Sequence, residues 1–83
     1  MNIYENLKLF LLTEIAVDSG IKSLAPDEDL LEQGIIDSMG IMKIIAFMED
    51  TFGINIDDED VVPENFQTLA CMLEFVEQKM KLK

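Results

Sequence analysis

A serine placed one residue after a carboxylate, at the head of a helical stretch, is the feature of this sequence best suited to chemistry. In the segment Gly34-Ile35-Ile36-Asp37-Ser38-Met39 it sits directly after a loop with apolar anchors. The first N–H groups of a helix have no partner within the helix, and the macrodipole makes the field there positive. A phosphodiester on the Ser38 oxygen is therefore better tolerated than at most surface positions. Asp37 can cap the helix or help hold a cation in a modifying enzyme. Asp-Ser before a helix also serves as an ordinary cap, so these residues alone leave modification and capping both open. No base stands near Ser38 to activate it. The sequence has no histidine, which removes Ser-His-Asp, Cys-His and zinc-hydrolase arrangements. Cys71 is the single cysteine, so neither an intramolecular disulfide nor a cysteine metal cluster can form.

Two other groups invite a chemical reading and fail it. Asp57-Asp58-Glu59-Asp60 lacks the alternation and central glycine of a calcium loop. Weak divalent binding that relieves acidic repulsion suits it better. Cys71 falls beside the apolar stripe of the last helix, with no basic side chain close in sequence to lower its pKa, which favours packing over reactivity.

The chain that must position Ser38 has 83 residues, room for one domain, 1–83. Apolar residues make up 49% of it, enough for a compact fold and against disorder. They fall in short clusters, nowhere near the roughly 18 uninterrupted residues of a membrane span. Lys8, Thr13 and Glu14 interrupt the apolar stretch 7–17, and no basic region or cleavage site flanks it, so no signal peptide and a cytoplasmic location are expected. Seventeen acids against six lysines, with no arginine, give a net charge of −11. That field repels phosphate backbones and argues against nucleic acid, while it attracts proteins with basic patches. A purely solubilising surface has the same composition.

Four segments carry helical periodicity, and strand patterns are hard to find. The first helix is expected from about Ile3 to Val17, with Ile3, Leu7, Phe10, Leu11 and Ile15 near one face and Gly20 as its cap. Residues 21–36 form a long connection. Pro26 and the acids 27–29 make it a poor helix, and Leu30, Leu31, Ile35 and Ile36 pin it to the core. The second helix is capped by Asp37 or Ser38 and ended by Phe52-Gly53, with Ile41, Ile44, Ile45, Met48 and Phe52 as its buried stripe. Met39, Met42 and Ala46 form a second apolar set on another face. Adaptable methionines there suit a partner surface, or else a wider core. A short helix is expected at the acids 57–60, with Val61 and Val62 packed inward and Pro63 stopping it. The last helix follows Asn65 or Thr68 and runs to about Lys79, with Leu69, Leu73, Val76 and Met80 inward and Lys79, Lys81 and Lys83 at its negative end. The expected fold is all-α: a small four-helix bundle of three main helices and one short one, with a long loop between the first two.

The stretch 29–53, DLLEQGIIDSMGIMKIIAFMEDTFG, resembles the acyl and peptidyl carrier protein family, as does the order helix, long loop, serine-headed helix, short helix, final helix. The likeness spans nearly the whole chain and is strongest at Asp37-Ser38-Met39, which matches the family's Asp-Ser-Leu with Met for Leu. It implies that Ser38 receives 4′-phosphopantetheine from coenzyme A through a phosphopantetheinyl transferase. Acyl or aminoacyl groups then ride as thioesters on the terminal thiol. The protein would be a monomeric shuttle and not an enzyme, with Met39, Met42, Ala46, Glu49 and Asp50 facing its partners and a core that opens to shelter a short acyl chain. An adenylating ligase would load it and a downstream synthase or transferase would unload it.

Fatty-acid-synthesis carriers usually place acids two and five residues after the serine; here those positions are Gly40 and Lys43. The loop reads Gly-x-x-Asp-Ser, and with Phe52-Gly53-Ile54 and Pro63-Glu64-Asn65-Phe66 the chain is more similar to discrete carriers loaded by ligases, such as D-alanyl carriers. This points to a dedicated secondary-metabolite or cell-envelope pathway, the housekeeping fatty-acid carrier being the alternative. An acidic helical interaction module is the competing reading from another class. It accounts for the charge but gives Ser38 no reason to head a helix after an anchored loop.

Overall fold

The computed structural model describes residues 2–15 and 24–81. The expected end of the first helix at Val17 and its Gly20 cap lie outside those residues, as does the start of the long connection. Helix α1 begins at Asn2, whose side-chain oxygen accepts the Glu5 N–H at 3.0 Å. It is α-helical over Ile3–Phe10 and continues as a π-helix over Leu11–Ile15. Helix α2 spans Ser38–Phe52, α3 is the short Pro63–Phe66, and α4 runs Leu69–Lys81. A single 3-10 turn, Asp58–Asp60, precedes α3. The described residues include no strand. The fold is all-α, as the periodicity indicates.

One core joins the four helices. Leu7 and Leu11 of α1, Ile44, Met48 and Phe52 of α2, Phe66 of α3, and Leu69, Met72, Phe75 and Val76 of α4 are buried together. Ile41 and Ile45 pack half-buried at the edge of the α2 stripe. The connection is tied down as its apolar residues require: Leu30 and Ile36 are buried, and Leu24 joins them. Its backbone is tied down too. The N–H of Leu30 donates to the Gln67 carbonyl at 2.7 Å, and the N–H of Ala70 donates to the Pro26 carbonyl at 3.0 Å. The loop is thus bonded to the start of α4, and buried backbone groups are paired despite the lack of regular structure.

Three expectations for the C-terminal half are corrected. Val61 and Val62 stay more than one-third exposed instead of packing inward, because the turn that ends at Asp60 leaves them on the surface. Pro63 does not stop a helix; it opens α3 at the first position, where its missing N–H costs nothing and its fixed φ suits the helix. Met80 is 41% exposed, and α4 buries Met72 and Phe75 instead. Of the two cap candidates, Thr68 serves: its hydroxyl accepts the Cys71 N–H at 3.0 Å. Cys71 itself is half-buried.

Candidate functional site

The loop before α2 turns at Gly34, whose φ of 75° is a left-handed conformation that glycine adopts without strain. Beyond it, the N–H groups of Ile35 and Ile36 both donate to the Leu30 carbonyl, at 3.0 and 3.2 Å. Ile36 then drops into the core and Asp37 emerges at the surface. The chain is therefore fixed immediately before the helix by one carbonyl and one buried side chain.

Asp37 is the N-cap. Its backbone is extended, its Oδ1 accepts the Gly40 N–H at 2.8 Å, and its carbonyl accepts the Ile41 N–H at 2.9 Å. Ser38 is the first residue inside the helix and is exposed. Of the first N–H groups of α2, those of Gly40 and Ile41 are taken by Asp37. The N–H groups of Ser38 and Met39 precede the ladder and point to the end of the helix where negative charge is favoured. The residues present fit a phosphodiester on Ser38: an accessible hydroxyl at a helix N-terminus, where negative charge is favoured. Met39 and Met42, with 71% and 65% of their surface exposed, flank it on α2 and are the two most exposed large apolar side chains of the helix. Ala46 and Asp50 are exposed farther along. Glu49 is exposed as well, but its Oε2 accepts the Ile56 N–H at 3.0 Å. One of its oxygens thus holds the chain beyond Gly53, which sequence reading alone did not reveal.

Gly40 explains a departure from the fatty-acid pattern. It is buried, and a Cβ there would sit 3.4 Å from Ile36 Cγ2, 3.5 Å from Asp37 Oδ1 and 3.7 Å from Ile15 Cγ2. A methyl group fills that space; a carboxylate side chain would be forced into apolar contact beside the capping carboxylate. Ile15 of α1 thus packs against position 40. Next to it lies a cleft of about 220 Å³ between Glu14 and Ile15 of α1 and Asp37, Met39 and Lys43.

Comparison with known proteins bears on this arrangement. The family described as the phosphopantetheine attachment site matches residues 10–76. The chain belongs to this carrier-protein family. Its members carry a covalent 4′-phosphopantetheine and are not enzymes. Over 79 residues the chain is 28% identical to an acyl carrier protein of Solidesulfovibrio magneticus, covering 95% of this chain and 96% of that one. Over 52 residues it is 31% identical to a D-alanyl carrier protein of Streptococcus pyogenes, covering 63% of this chain and 66% of the relative. A solved structure described as a FAD-dependent dehydrogenase superposes with a TM-score of 0.75 at 24% identity, over 84% of this chain and 97% of that one. At that identity the likeness supports the fold alone.

Proposed function

We propose that the whole chain acts as one carrier domain, that Ser38 is the residue that takes the 4′-phosphopantetheine, and that Asp37 orients it. The observation that carries this is the capping geometry: Asp37 fixes the first turn so that Ser38 projects from a helix N-terminus into solvent. When bound, the group supplies a thiol on a flexible arm, which takes an acyl or aminoacyl group as a thioester. A phosphopantetheinyl transferase brings the base that this chain lacks. The protein then works in the cytoplasm as a monomer between a loading ligase and a downstream synthase or transferase, with Met39, Met42, Ala46, Glu49 and Asp50 as its docking face.

Within the family we favour a dedicated carrier loaded by an adenylating ligase. The buried Gly40 and the lysine at position 43 support this, because the acids of the fatty-acid pattern are replaced by packing and by a cation. The likeness to an acyl carrier protein over 95% of this chain supports the alternative, a fatty-acid carrier. Incubation with coenzyme A and a broad-specificity transferase, followed by intact-protein mass spectrometry, tests the attachment. The wild type is expected to gain one phosphopantetheine and Ser38→Ala none. A folded wild type that stays unmodified would overturn the assignment. Loading by an amino-acid-activating ligase against loading by fatty-acid enzymes then decides between the two pathways.

A further inference from the structure

The small cleft beside Ser38 does not end at Lys43. Glu14 and Lys43 also line a larger groove of about 480 Å³ between α1 and α2, together with Phe10, Ala46, Phe47 and Asp50. The two clefts adjoin at Glu14 and Lys43, and together they extend from Asp37 and Met39, which flank Ser38 in sequence, along α2 to Asp50. The far part has an aromatic floor. Phe10 and Phe47 stack with ring centroids 4.2 Å apart and planes 17° apart, and Phe47 meets Phe52 edge-on at 5.8 Å. Both Phe10 and Phe47 are only half-buried, so the floor presents apolar surface to the groove. Its rim is acidic, with Glu14 from α1 and Asp50 from α2 against the single cation Lys43.

From Ser38 to Asp50 is about 18 Å along α2, at roughly 1.5 Å per helical residue. A phosphopantetheine arm, about fourteen bonds from serine oxygen to sulfur, reaches about 17 Å when extended at roughly 1.2 Å per bond. The lengths match. We infer that the α1–α2 groove is a resting track for the arm and that its larger, acid-rimmed part selects cargo bearing an ammonium group, that is, an aminoacyl thioester. The apolar floor accommodates a small side chain. Glu14 and Asp50 outnumber Lys43 and attract the ammonium, while a carboxylate-bearing cargo is repelled. This inference rests on Ser38 as the attachment residue, and it places the cargo outside the core and not among the buried side chains of α4.

The test uses uniformly 15N-labelled protein carrying the arm, as the free thiol, as the alanyl thioester and as the isobutyryl thioester. In isobutyryl a methyl group replaces the ammonium at nearly constant shape. Spectra are recorded at about pH 6.5, below the α-amino range, so the ammonium is charged. Relative to the free thiol, alanyl loading is expected to move the amide signals of Glu14, Ala46, Phe47 and Asp50. Isobutyryl should move them about threefold less, the scale expected when exposed charge pairs are lost. The double variant Glu14→Gln with Asp50→Asn keeps side-chain size and should reduce the alanyl shifts to the isobutyryl level. Equal shifts for both cargoes, shifts confined to residues 37–40, or shifts at Leu69, Met72 and Val76 would each overturn the inference. Intact mass is read on every sample: shifts that fail in loaded protein reject the groove and leave Ser38 standing, whereas protein that cannot be loaded rejects the attachment residue itself.

Discussion

The two ends of this molecule are stabilised in different ways. At the clamp end, side chains hold the turn and tie it to α4. The Asp57 N–H donates to Asp60 Oδ2 at 3.0 Å, Asn65 Nδ2 donates to the Asp60 carbonyl at 2.7 Å, and Lys79 of α4 pairs with the Asp60 carboxylate. Lys79 Nζ also lies 5.9 Å from the centroid of the Phe75 ring. At the site end the backbone is held and the side chains are left free. Leu30, Ile36 and the Asp37 cap position the turn, while Ser38, Met39 and Met42 project from it. On the proposed assignment Ser38 must be reached by a transferase and then carry an arm, so it cannot be tied into its neighbours and its support comes from below. The clamp closes the bundle; the pinned loop presents the serine.

The largest test of that contrast is Leu30→Ala. The Leu30 side chain is fully buried, so truncation, which leaves its backbone carbonyl in place, should cost about 2–5 kcal/mol in urea unfolding. A loss under about 1 kcal/mol would mean that the loop lies on the surface and that the site is not presented by the core. Asp37→Ala should cost about 1 kcal/mol through the lost cap and should slow modification of Ser38, because the first turn frays. Asp37→Asn retains an accepting oxygen and should recover most of the stability.

Acid separates the two ends more gently. The hydrogen bond from Lys79, followed by the Asp57 N–H, lowers the Asp60 pKa below its ordinary 3.8. A lowered folded-state pKa gives stability that is present above the unfolded value and is lost as pH falls through the folded one. Thermal unfolding of the wild type should therefore lose a clamp contribution below about pH 4, and Asp60→Asn should lack that part of the slope. At the other extreme, Lys79 is raised above 10.5 by Asp60, so its contribution holds below that value and is lost in strong base. Equal acid slopes in wild type and variant would show that the clamp carries no net stability, as many surface pairs do.

Much of this architecture is legible in the residues. Period-3.6 spacing on α2 places Ile44, Met48 and Phe52 in the core, and the apolar residues of the loop indicate its anchoring. The clamp is not legible, because it joins Asp60 to Lys79 across nineteen positions and depends on the turn that leaves Val61 and Val62 outside. A proline reads equally well as the end of one helix or the start of another, and only the bond from the Gln67 N–H to the Pro63 carbonyl at 2.9 Å shows which. The Asp-Ser pair is visible at once. The burial of position 40 is not, since it lies in the approach of Ile15 from α1.

Gly40→Ala gives a smaller expected effect. The methyl group meets ordinary contacts, and replacing glycine inside a helix gains up to about 1 kcal/mol, seen as a modest rise in the urea midpoint. Met39→Ser and Met42→Ser should change stability by less than about 0.5 kcal/mol, because neither side chain is part of the core.

The central claim is that Ser38 carries the arm, and peptide mapping of the modified protein tests it most directly. Trypsin cutting after Lys22 and Lys43 releases residues 23–43, which contain both Ser23 and Ser38, so fragmentation must resolve the two. The account predicts the phosphopantetheine on Ser38 in the wild type and in Ser23→Ala, and an unmodified peptide in a folded Ser38→Ala. Phosphopantetheine on Ser23, or a Ser38→Ala protein that is still loaded, would contradict it.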